Sequence, residues 1–135
     1  MMDAQKAAAD EIVKASASSR VPVEGGSMGA AWLDVAAVSV RGAAHRRPRL
    51  GDVVLARTAT GRIAHRVVWI RRRGGSGRLL TLGDGNRHCD AWLEEGDVLG
   101  VVACAISRAG RERKVRRLLP LLRAWLRLLP RQAGR

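Results

Sequence analysis

The chain predicts a mainly β fold, a compact antiparallel β domain with a short helix at each end. Three observations carry this reading. Between residues 35 and 106 the apolar residues fall in short runs of strand length, rich in Val and Ile. The gaps between the runs hold turn formers, at residues 58–61 and at Gly74-Gly75-Ser76-Gly77. Helical periodicity is confined to the two ends. With 135 residues, 47% of them hydrophobic, the chain can build one real core but not two ordinary ones.

Residues 1–20 form an N-terminal helical segment, an Ala-rich run with Ile12 and Val13 that ends near Ser16 to Ser19. Asp3, Asp10 and Glu11 interrupt it, so it is neither a signal peptide nor a membrane span. Residues 21–107 form the β domain, with strands expected over 35–40, 53–58, 62–70, 79–82 and 98–106. The glycine-rich stretch 74–77 reads as a flexible loop and 58–61 as a hairpin loop. On 62–70, strict alternation places Ile63, His65, Val67 and Trp69 on one face. Phe and Tyr are absent, so Val, Leu, Ile, Ala, Met28 and some of the four Trp must fill the interior. No internal repeat is present, and the candidate boundary lies near Arg108.

Residues 108–135 form a basic amphipathic C-terminal helix. They hold ten Lys or Arg against the single acid Glu112, a large share of the net charge of +13. Charge concentrated in a tail reads as an appendage with its own surface partner, and a nucleic-acid partner is disfavoured because the domain itself carries little excess charge. Leu118, Leu119, Leu122, Trp125, Leu126 and Leu129 recur at helical spacing, opposite Arg116, Arg123 and Arg127. Pro120 marks a start or a kink. The apolar part is about a dozen residues, too short to cross a bilayer, which needs about twenty. Residues 115–129 suit three surroundings: the headgroup boundary of an anionic membrane, a groove on a partner, or the β domain itself. The expected setting is the cytoplasm, with peripheral membrane attachment as an option of the tail.

Four segments carry the chemistry: Gly26-Ser27-Met28, Gly51-Asp52-Val53-Val54, His65-Arg66-Val67-Val68, and Gly83-Asp84-Gly85-Asn86 followed by Asp90. A serine hydroxyl is a poor nucleophile near neutrality, so it needs an adjacent base, and that base an orienting group. Gly25 and Gly26 let the backbone turn tightly before Ser27, whose main-chain N–H then serves as an oxyanion donor. Imidazole is the side chain best matched to general-base work near neutral pH, although His65 among apolar neighbours also fits a core histidine. Asp84 and Asp90 flank a turn, and the residues alone leave open which of them faces the histidine.

The order and content of these segments resemble the catalytic domain of type I signal peptidases, within the wider group that includes the self-cleaving repressors of the DNA-damage response. The resemblance covers roughly residues 21–106. Ser27-Met28 is similar to the nucleophile box, Gly51-Asp52-Val53-Val54 to the second box and His65-Arg66-Val67-Val68 to the base box. Gly83-Asp84-Gly85-Asn86 with Asp90 is similar to the last box, and Asp97-Val98-Leu99-Gly100 to the closing strand. Most bacterial members use a lysine base, whereas the archaeal and endoplasmic-reticulum type uses histidine. Here no lysine occurs between Lys14 and Lys114, so the similarity is to the histidine type. The resemblance implies Ser27, His65 and Asp90 as catalytic residues, and Gly83, Asp84 and Asn86 as a structural turn. Ala30 departs from the family, which has proline at that position, and the membrane span that usually precedes the serine is missing from this sequence.

The resemblance implies a serine endopeptidase that cleaves an extended peptide or precursor protein without a cofactor. His88, Cys89 and Cys104 lack the spacing of a zinc motif, so no metal is called for. Two alternatives belong to other classes: a catalytically silent relative that binds peptides or a maturation partner, and a basic nucleic-acid-binding β domain.

Overall fold

The computed structural model describes residues 2–23, 28–29, 32–59 and 61–129. Among the described residues a helix α1 (Met2–Ala15) precedes eight strands: β1 (Ser19–Pro22), β2 (Val35–Gly42), β3 (Val53–Thr58), β4 (Gly61–Arg73), β5 (Ser76–Leu82), β6 (Leu93–Glu94), β7 (Val98–Ser107) and β8 (Glu112–Lys114). A 3-10 turn (Glu95–Asp97) separates β6 from β7, and α2 (Leu118–Leu128) follows β8. The fold is mainly β. All the strands join one antiparallel sheet, ordered β1-β2-β7-β3-β4-β5-β6 and curled into a half-barrel, with β8 pairing β7.

Strand β7 lies at the middle because nearly all of it is apolar. Val98, Leu99, Val101, Val102, Ala105 and Ile106 are buried, as suits a strand covered on both faces. One cluster gathers Val38, Val40, Val53, Leu55, Leu99 and Val102 with Met28, and a second gathers Val54, Val67, Leu79, Val98 and Val101. Small and branched aliphatics thus do the work that aromatic residues do in most cores. No Trp is fully buried: Trp32 packs at the margin of the first cluster, and Trp69, Trp92 and Trp125 are exposed.

Two expectations change in detail. The stretch 74–77 is a two-residue turn, Gly74-Gly75, because Arg73 pairs with Ser76 and Arg72 with Gly77. Gly74 has φ +58°, the left-handed conformation that tight hairpins favour. Strict alternation along β4 holds from Ile63 through His65 to Val67 and then breaks. A register shift between Val67 and Trp69 puts Ile70 against the second cluster and leaves Trp69 outside, so Trp69 does not share the face of His65. A β-bulge inserts one residue and reverses the phase of every side chain beyond it.

Short elements escaped the pattern: β1, β6 and β8 have four, two and three residues. They are held by pairing with longer neighbours and carry little periodicity of their own. The helices are tied down by polar groups as well as apolar ones. Asp10 of α1 is buried and accepts from Arg62 Nε at 2.9 Å and Nη2 at 2.6 Å, with Arg57 Nε also 2.6 Å away. These contacts fasten α1 to the β3–β4 hairpin. Helix α2 begins within three residues of Pro120, in the first turn where no intrahelical amide bond is lost. It lays Leu121 and Ala124 on Val68 and Leu82, and Trp125 Nε1 donates to the Val68 carbonyl at 2.8 Å.

Glu95 joins two further segments. It accepts from Arg47 Nε at 2.7 Å and Nη2 at 3.1 Å, and from Arg72 Nη2 at 3.3 Å. The Arg47 hydrogen bonds, joined by the one from Arg72 and outweighing the opposing effect of burial, hold its carboxyl below the usual range. A carboxyl with a depressed folded pKa adds stability that is complete above its unfolded pKa and is lost as pH falls through the folded one. Glu95→Gln is therefore expected to melt lower than the parent at neutral pH, with the gap closing toward pH 3. Melting curves across that range check it, and a gap that stays constant or widens in acid contradicts it.

Candidate active site

The histidine is brought to its site by β4, which pairs His65 with Val54 of β3 and leaves the ring buried on the face of the second cluster. Its Nδ1 lies 2.5 Å from Asp90 Oδ2. An ionised carboxylate only accepts, so in this contact Nδ1 is the donor, and a neutral ring with its proton there carries its lone pair on Nε2. Asp90 is fixed in turn by Thr81. The Thr81 hydroxyl donates to Asp90 Oδ2 at 2.7 Å, and the Asp90 N–H donates to the Thr81 carbonyl at 2.9 Å. Of the two aspartates left open by the residues alone, Asp90 is the one on the histidine.

Asp84 has a different partner. Arg66, one residue beyond His65 and on the other face of β4, donates from Nε and Nη2 to the two Asp84 oxygens, each at 2.8 Å. Its Nη1 donates to the carbonyls of Gly51 at 2.7 Å and Arg116 at 2.6 Å. A buried guanidinium with all these bonds ties the loop after β5, the turn before β3 and the segment before α2 to one strand. The turn itself is closed by the Asn86 N–H donating to the Gly83 carbonyl at 2.8 Å.

Met28 and Gly29, next to the expected nucleophile, meet this second group. Asp84 N–H points to Met28 Sδ at 3.4 Å, and the Met28 side chain is buried in the first cluster. Gly29 has φ +79°, and a Cβ there would stand 3.3 Å from the Cα and N of Gly85. The close approach of two loops and the left-handed backbone both favour glycine at this position. Met28, Gly29, Trp32, Arg66 and Asp84 form one wall of a cleft of about 540 Å³, and residues of β8 and α2 form the other. Ser27 and Ala30, the expected nucleophile and the departure from the family proline, lie outside the described residues, as does the Ser27 N–H expected at the oxyanion.

The remaining motif residues hold structure. Asp52 accepts from Arg46 Nη2 at 3.1 Å and from the Arg49 N–H at 2.7 Å, shaping the turn into β3. Asp97-Val98-Leu99-Gly100 leads into β7. Cys89 and Cys104 are free thiols. Burial and the negative charge of Asp90 push the Cys89 thiol up, which keeps it protonated and a weak nucleophile beside the pair. Among the described residues no three His, Cys, Asp or Glu side chains gather to hold a metal, His88, Cys89 and Cys104 included. Among them also, no helix is long and apolar enough to cross a membrane.

Thr81, and the partners of Arg66, are what sequence reasoning missed. Thr81 and Arg66 each left a signal: a polar residue placed within an otherwise apolar strand run, where burial demands a partner. The chain matches no family model, no curated protein and no solved structure.

Proposed function

We propose that this chain is a serine endopeptidase of the kind that type I signal peptidases represent, acting on an extended peptide or precursor protein. The observation that carries the reading is the buried His65 with Nδ1 on Asp90 and Asp90 clamped by Thr81. In this reading the pair serves as base and orienter of a triad, the neutral ring keeping its proton on Nδ1 and its lone pair on Nε2. Ser27 enters as the third member through the resemblance of Ser27-Met28 to the nucleophile box.

In this reading Ser27 Oγ attacks the scissile carbonyl as His65 Nε2 takes the hydroxyl proton. The C–O bond forms, and the carbonyl electrons move onto the oxygen that the Ser27 N–H stabilises. The tetrahedral species collapses, the C–N bond breaks, and the imidazolium gives its proton to the leaving amine. Water then repeats the sequence on the acyl-enzyme, with His65 again the base, and regenerates the serine. Asp90 stays ionised and holds the ring throughout.

The test is a digest of a defined peptide mixture, small residues before the scissile bond included, followed by mass spectrometry of the new termini. Ser27→Ala and His65→Ala are each expected to remove the cuts made by the parent while the melting curve of Ser27→Ala is kept. Cuts that persist unchanged in Ser27→Ala overturn the proposal. A parent that makes no cut, together with a biological activity that survives Ser27→Ala, assigns the chain to the peptide-binding class instead.

A further inference from the structure

Helix α2 is apolar over a wider arc than the β domain covers. Leu121 and Ala124 are buried against Val68 and Leu82, whereas Leu118, Leu119, Leu122, Leu126 and Leu129 are 47% to 68% exposed. At about 100° per residue, Leu118, Leu122, Leu126 and Leu119 occupy one continuous sector beside the buried one. The burying stripe is thus distinct from the one the sequence pattern singles out, and the singled-out leucines face outward. A patch of five large aliphatics on a small domain marks an interaction surface.

The charges beside the patch identify what covers it. Arg123 and Arg127 follow the leucine sector around the helix, and Lys114 and Arg116 stand at its N-terminal end. None of the four forms a side-chain ion pair among the described residues. From Arg113 to Arg135 the sequence has no acidic residue. A second copy of this helix would therefore bring like charges together, whereas anionic headgroups meet them with opposite charge. Eleven residues make a helix about 16 Å long, too short to cross a bilayer and suited to lying in its surface plane.

We infer that α2 docks the folded domain on an anionic lipid surface through Leu118, Leu122, Leu126 and their neighbours, while Leu121 and Ala124 stay on the sheet. Arg123 and Arg127 also line the cleft whose other wall holds Met28, Gly29 and Asp84. Docking therefore sets that cleft against the headgroups. The inference concerns binding alone and stands or falls apart from the catalytic proposal.

Flotation of the full chain with vesicles tests it, using phosphatidylcholine alone and a 7:3 mixture of phosphatidylcholine and phosphatidylglycerol at about 0.1 M salt. The parent is expected to float with the mixed vesicles and about tenfold less with the neutral ones. Leu122→Gln/Leu126→Gln changes only exposed positions, so its melting curve is expected to match the parent's while flotation falls about tenfold or more. Arg123→Gln/Arg127→Gln is expected to lose most of the preference for the anionic vesicles. Undiminished flotation of the leucine variant, or no flotation of the parent, overturns the inference. So does a lipid-free dimer, seen by sedimentation, that the leucine variant dissolves, because a second copy then covers the patch.

Discussion

Asp90→Asn is expected to fold like the parent and to cleave about 10⁴-fold more slowly, the cost that follows when the orienting carboxylate of a triad becomes an amide. The carboxylate accepts from both His65 Nδ1 and Thr81 Oγ1 through one oxygen. An amide turned so that its NH₂ meets Nδ1 would force the imidazole to carry its proton on Nε2, where a base needs the lone pair. It also lacks the negative charge that stabilises the imidazolium formed during the reaction. Single-turnover cleavage by the two proteins, compared at equal folded concentration, measures the effect. A loss below about tenfold would take Asp90 out of the mechanism and leave its contact with His65 as core hydrogen bonding.

The largest effect on stability is expected at Arg66. Arg66→Met keeps much of the aliphatic volume but removes four hydrogen bonds, and it strands the Asp84 carboxylate and the carbonyls of Gly51 and Arg116. Breaking a buried ion pair from one side costs about 3 to 5 kcal/mol, because the remaining charge is left without compensation. Urea denaturation of parent and variant gives the value directly. A second substitution, Asp84→Asn, is expected to return part of the loss in the Arg66→Met background, since the stranded charge is then gone. A loss under about 1 kcal/mol in the single variant would show that water reaches Asp84 and that the three segments hold together without the guanidinium.

Much of this architecture could be read from residues because the long strands carry their own pattern. Expected strand 53–58 coincides with β3, and 98–106 differs from β7 by one residue at its end. β4 and β5 extend further than expected because hairpin pairing recruits Gly61, Arg71 to Arg73, Ser76 and Gly77, which have no strand signal themselves. The bulge beyond Val67 was hidden for a related reason: register is settled between strands, and a single strand's sequence does not state it. At the site, the His65–Asp90 contact lay within reach once the resemblance chose between the two aspartates. Thr81 did not, because its role depends on β5 bringing it under a loop nine residues later. Arg66 was quoted as part of a motif, yet its partners are spread from Gly51 to Arg116, a separation that no local pattern spans.

His65 and Arg66 are adjacent, face opposite sides of β4, and each meets its own aspartate. Strand register therefore decides which side chain meets which carboxylate. A slip of β4 by one residue would aim the guanidinium at the side of Asp90 and Thr81 and swing the imidazole to the side of Asp84, exchanging the two side chains' addresses at one stroke. Neither side chain replaces the other: a guanidinium moved to Asp90 and Thr81 would leave Asp84 and the carbonyls of Gly51 and Arg116 without their donor, and one imidazole cannot supply all of those bonds at once. The misaligned sheet is therefore penalised on both faces together. The same two side chains thus proofread the assembly of the strand that carries them.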